Sequence, residues 1–159
     1  MLPDSYVSID DSRWPLQVVK FVGSATLRQH EQVMEGMTAR LRRRERHLSL
    51  IDLSQGGIPT AEQRQRYVLW IQENEALMRE VLLGMALVIN SPAMRLAVST
   101  VMHLKPLPVP YFIASWELDA AAWSIAHLED QGLRPHAERL RSQYGLTGRL
   151  DAGGTARSA

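Results

Sequence analysis

The sequence predicts an α/β fold, with a mixed, largely parallel sheet of about five strands and four helices in the order strand, strand, helix, strand, helix, strand, helix, strand, helix. Three observations carry this. Leu48 to Leu53 and Met85 to Ile89 are short apolar runs without strict alternation, the pattern of strands buried on both faces of a parallel sheet. Helix-start signals follow strand candidates at Thr26, Thr60, Ser91 and Ser115, so the two element types alternate. A chain of 159 residues has the length to bury one core without staples.

The first strand candidate, Tyr6 to Ile9, alternates apolar and polar residues and ends on the turn formers Asp10, Asp11 and Ser12. Leu16 to Val22 is a β-branched run that stops at Gly23, and the two read as an antiparallel pair. Thr26 and Gln29 have capping-box spacing and open a helix with Leu27, Val33 or Met34, Met37 and Leu41 on one side. Gly36 in its middle costs about 1 kcal/mol relative to Ala. The central strand follows, then a turn from Gln55 to Thr60.

Thr60 and Gln63 repeat the capping-box spacing, and the second helix runs to about Asn74 with Tyr67, Trp70 and Ile71 in helical phase. Glu75 to Leu82 either continues it or adds a separate turn, with Gly84 as the breaker. Met85 to Ile89 is the next buried strand. Asn90, Ser91 and Pro92 start a third helix that runs to Leu104, and Pro106, Pro108 and Pro110 forbid helix after it. Tyr111 to Ala114 is the last strand. Ser115 is the expected cap of a helix over 116–131 that buries Leu118, Ala121, Ala122, Ile125 and Leu128, and Gly132 ends it. Residues 135–144 form a terminal helix, completing a single domain over 1–145; residues 146–159, rich in Gly and small polar residues, read as a flexible tail.

Composition excludes several functions. Cysteine is absent, which removes disulfides, a thiol nucleophile and thiolate metal sites, and fits a reducing, cytoplasmic setting. The longest apolar run, Val81 to Ile89, is far too short to span a bilayer. A net charge of +1 leaves nucleic-acid binding to a local patch. The one cluster, Arg40, Arg42, Arg43, Arg44 and Arg46, has no interleaved aromatics, so no nucleic-acid partner is expected. It reads as cations at a helix C-terminus, with docking of an acidic protein or anionic lipid as the alternative.

No catalytic constellation emerges. His30, His47, His103, His127 and His136 are scattered without metal-ligand spacing, no Gly-x-Ser-x-Gly elbow occurs, and no Gly-Lys-Ser/Thr follows Gly56 and Gly57. No enzyme, cofactor or metal is expected. Asp52, at the end of the central strand, is the best single carboxylate for a ligand or partner, against ordinary hydrogen bonding to the following turn. Gly56, Gly57 and Thr60 complete a candidate regulatory loop at the sheet's carboxyl edge, where helix N-termini gather. The third helix carries Met94, Val98 and Met102 among more apolar residues than a one-sided helix needs, which makes it a candidate partner surface.

The second half carries a resemblance. Leu69-Trp70-Ile71, the strand from Gly84 to Ile89, the Ser91-Pro92 helix start, the proline-rich link from Pro106 to Pro110 and the strand Tyr111 to Ala114 resemble the small stand-alone bacterial STAS-like proteins. The element order over about residues 5–130 resembles the STAS domain of anti-sigma-factor antagonists and sulfate-transporter tails. That resemblance implies a cytoplasmic signalling module. The sequence departs from it where antagonists carry a phosphorylated serine in an Asp-Ser-Ser-Gly-like motif: Gly56 to Thr60 stands there, and Thr60 reads as a helix cap, with phosphoacceptor as the sharper alternative. The expected function is a non-enzymatic regulatory or scaffold module acting through protein contacts or self-association as a homodimer; the alternative is a carrier or sensor of a small apolar or lipid ligand.

Overall fold

The computed structural model describes residues 5–146; the expected tail over 146–159 lies, but for its first residue, outside them. The order is β1 (Tyr6–Asp10), β2 (Leu16–Gly23), α1 (Leu27–Arg42), β3 (His47–Gly56), α2 (Ala61–Val81), β4 (Leu82–Val88), α3 (Pro92–Leu104), β5 (Tyr111–Ala114), α4 (Glu117–Asp130) and α5 (Arg134–Gln143). The helix count is five where the element order gave four, because the terminal segment packs as a full helix. The sheet runs β1-β2-β3-β4-β5, and only β1 is antiparallel to its neighbour.

β3 lies in the middle, as its doubly apolar pattern requires. Leu48 and Leu50 project to one face with Leu16, Val18, Ala86 and Val88, against Ile125, Leu128 and Leu140 of α4 and α5. Ile51 and Leu53 project to the other, with Val19, Phe21, Met85 and Leu87, against α1, α2 and α3. Three helices therefore cover one face and two the other. Three right-handed parallel crossovers, all on one face, would leave the sheet naked on the other without α4 and α5.

Local chemistry places the helices. Both capping boxes form: Thr26 accepts from Gln29 N and Thr60 from Gln63 N, each at 3.1 Å, while each glutamine side chain reaches back to its cap. Ser91 caps α3 with Pro92 at its first position. Ser115 does not cap α4; Trp116 holds that position with no side-chain bond, since the chain stays extended one residue further. Within α4, Leu118 and Ala122 face solvent, and Ala120 is buried with Ala121 in their stead.

Two further expectations are corrected. β3 continues through Gln55 and Gly56, which pair with Val22 and Gly23, so the turn begins only at Gly57. α2 is one helix to Val81, and Gly84 lies inside β4 instead of breaking a helix. A Cβ on Gly84 would stand 3.0 Å from Leu48 Cδ2, 3.0 Å from Trp123 and 3.1 Å from the Pro110 carbonyl oxygen, which accepts the Met85 N–H. Gly84→Val is expected to lower stability by about 1–3 kcal/mol through overpacking, read as an earlier urea midpoint at unchanged slope.

Candidate functional site

The candidate site is an apolar cavity of about 130 Å³ at the carboxyl half of the sheet, on the face covered by α1, α2 and α3. Phe21, Ile51, Leu53, Met85 and Leu87 make its floor, and the three helices its walls. Its breadth comes from the long α2, which stands on Trp70 and Ile71, and from α3, which buries fully only Met94 and Ala97. Trp70 Nε1–H donates to Thr38 Oγ1 at 2.9 Å, so the indole spans α1 and α2 with no polar atom left over. Lys105 Nζ donates to Glu75 at 2.8 Å and ties the end of α3 to α2.

One polar pair enters this apolar space. His30, in the first turn of α1, is 6 % exposed and stacks on Phe21. Its Nδ1 lies 2.6 Å from the hydroxyl of Tyr67, two turns into α2, and both side chains line the cavity. Burial lowers the pKa of His30 and raises that of Tyr67, so both are neutral at physiological pH. With the phenol O–H donating to Nδ1 the imidazole proton sits on Nε2; with Nδ1–H donating to the phenol oxygen it sits on Nδ1. Arg64 stands at the rim with Gly57 and Pro59, its Nη1 donating to the Pro59 carbonyl at 2.8 Å.

The residues singled out by sequence fall differently about this cavity. Met94, Val98 and Met102 all line it, Met94 buried at 3 % exposure and the other two half-buried. The helix turns this face in because the sheet below it is apolar, and its exposed apolar side chains are Leu96 (69 %) and Leu104 (58 %). Gly56 is a strand residue. Gly57 is no phosphate cradle: its N–H donates to the Gly23 carbonyl, and a Cβ there would stand 2.9 Å from Ser24 Cα, so the loop is pressed against the β2–α1 connection. Asp52 is buried and accepts from both Ser54 N (2.9 Å) and Ser54 Oγ (2.6 Å), the bond to the following residues that the sequence offered as the ordinary role. Asp52 is absent from the cavity wall.

The arginine cluster is engaged within the chain. Arg40 Nε donates to Asp11 at 2.7 Å, Arg43 reaches the same carboxylate at 3.3 Å and lies over the Trp14 ring, and Arg44 pairs with Glu80 at 2.7 Å. It joins the end of α1 to the β1–β2 turn and α2, and three of its five cations already have carboxylate partners. Among the described residues no group of His, Asp and Glu could hold a metal, and no helix is long and apolar enough to cross a membrane.

Sequence reasoning passed over His30 and noted Tyr67 only for its helical phase. The signal was present: His30, Met34, Met37 and Leu41 form one buried stripe of α1, and a histidine inside such a stripe needs a partner.

The arrangement of strands and helices is the SpoIIAA-like, or STAS-like, fold. A similar solved structure is that of an uncharacterized DUF3478-family protein from Shewanella loihica, described as having a SpoIIAA-like fold; it aligns with a TM-score of 0.54 at 14% identity, over 78% of this chain and 98% of that one. No family model matches the sequence, and no curated protein matches it. The likeness is one of fold.

Two predictions follow from the caps and the buried imidazoles. Thr60→Ala is expected to lower stability by about 0.5–2 kcal/mol and Thr60→Ser to leave it nearly unchanged, while phosphopeptide mapping of protein from growing cells should find Thr60 unmodified. His30 and His47 both titrate below the ordinary value of 6.5 because burial disfavours their charged forms. The unfolded chain then binds more protons below pH 6.5, so stability is fully present above that pH and falls as pH drops from it toward the folded-state values. Denaturation midpoints at pH 7.5 and 5.5 check this, and His47→Gln should flatten the difference.

Proposed function

We propose that this protein is a non-enzymatic binding module that takes up a small, mainly apolar ligand in the cavity between the sheet and α1, α2 and α3. The observation that carries the reading is the cavity itself, about 130 Å³ and lined almost wholly by apolar side chains. A dry apolar cavity of about 150 Å³ is enough for benzene in another protein. Packed cores seldom leave a void of this size, because each one forfeits dispersion contacts. Methionines at positions 37, 85, 94 and 102 give the wall side chains that re-pack around differing shapes.

This reading favours the ligand alternative over a module built on the two protein-contact surfaces first considered. What supports it is that the apolar face of α3 lines the cavity and that Arg40, Arg43 and Arg44 already pair with Asp11 and Glu80. A second reading, a protein partner or a second copy, is supported by the outward residues Leu96 and Leu104 on the same helix. The two meet if ligand occupancy sets the position of α3 and thereby what its outer face presents, which is a regulatory output.

Benzene is a suitable first probe. The thermal midpoint should rise with its concentration, by about 2–4 °C for each kcal/mol of binding free energy. Ala97→Leu places three added carbons in the wall and should abolish the rise while leaving circular dichroism unchanged. Native mass spectrometry of protein from its own host should show a retained small-molecule mass. A midpoint indifferent to benzene in the wild type, with a dimer mass and no adduct, would replace this reading by the second.

A further inference from the structure

The cavity is apolar except where His30 and Tyr67 meet, and that exception has a defined chemistry. Tyr67 Oη and His30 Nδ1 are paired at 2.6 Å. His30 Nε2 has no hydrogen-bond partner among the described residues, although the residue is 6 % exposed and lines the cavity. His30 lines the cavity, and its Nε2 keeps some accessible surface. An N–H without an acceptor in the protein is free to meet one carried by a ligand.

Resting on the binding reading above, we infer that the cavity selects small neutral molecules with a single hydrogen-bond acceptor, such as a ketone or ether oxygen, held by the His30 Nε2–H donor, and that Tyr67 is the positioning residue that fixes this tautomer. The wall excludes the other charge classes. No carboxylate lines the cavity, so an ammonium would have nothing to offset its lost hydration. An anion would have only Arg64, one of whose five N–H groups already donates to the Pro59 carbonyl, and the carboxylate probe below tests that case directly. The Phe21 ring stacked on the imidazole, 5.4 Å between centroids, holds its plane.

Three probes of one shape separate the outcomes: cyclohexanone, methylenecyclohexane and cyclohexanecarboxylate. Cyclohexanone and methylenecyclohexane differ only in replacing the oxygen by CH₂, so their affinity ratio isolates the acceptor. His30→Phe should weaken cyclohexanone about three- to tenfold relative to methylenecyclohexane, the range of one hydrogen bond. Equal effects on both probes overturn the inference but leave the cavity reading standing. Failure of both to bind the wild-type protein overturns the cavity reading itself. Preferential binding of the carboxylate, with His30 protonated in the complex, overturns neutrality and assigns an anion. Should His30→Phe not fold, nitrogen-15 shifts of the wild-type imidazole decide: the proton must sit on Nε2, must stay there when cyclohexanone binds, and the fraction found there must fall in Tyr67→Phe. A proton on Nδ1 in the wild type refutes the assignment.

Discussion

Burial of β3 on both faces is the constraint on which the rest depends. Leu48 and Leu50 face one layer and Ile51 and Leu53 the other, so neither layer can be dispensed with. Each such side chain contributes about 1.5–3 kcal/mol when taken out of water, and that gain exists only while helices cover both sides. The parallel pairing of β2, β3, β4 and β5 in turn demands crossovers, and the crossovers are α1, α2 and α3, all on one face. α4 and α5 then close the opposite face, with Ala120, Ala121 and Ala137 letting helix backbone approach the sheet closely.

The two faces are unequal for a reason that can be read in their side chains. On the α4–α5 side alanines and leucines fit tightly, and Gly84 admits Trp123 and Leu48 at about the limit of contact. On the other side the residues between sheet and helices are long and flexible, chiefly methionine, and α3 sits over them with only two residues fully buried. A wall of that kind does not fill space as a jigsaw of branched side chains does. The cavity is thus a product of where the sequence puts its small residues and where it puts its methionines.

Much of the fold was legible because its determinants are local. A capping box needs one Thr and one Gln three residues apart, and both occurrences form. A doubly buried strand needs only its own composition, which located β3 and its neighbours. What could not be read depends on distance between elements. His30 and Tyr67 are 37 residues apart, and nothing in either helix alone says that the other stands opposite. The apolar girth of α3 was visible, but which side meets the sheet is settled by the rotation of a helix anchored at Met94 and Ala97, which brings Val98 and Met102 into the cavity wall. Asp11 and Glu80, which occupy the arginines, were likewise invisible beside a run of cations.

The position of the His30–Tyr67 pair follows from the same architecture that makes the fold. β2 and β3 end side by side, so α1 and α2 begin side by side, and their matching caps set both helices at the carboxyl edge of the sheet. Gln63 reinforces the match by donating from its side chain to the Ala25 carbonyl at 3.0 Å, which holds the start of α2 against the entry of α1. A side chain one turn into α1 and another two turns into α2 then face each other across the sheet's end. The loop before α2 is drawn tight by Gly57 against Ser24, and close behind it His30 and Tyr67 stand as two neutral side chains in an apolar wall.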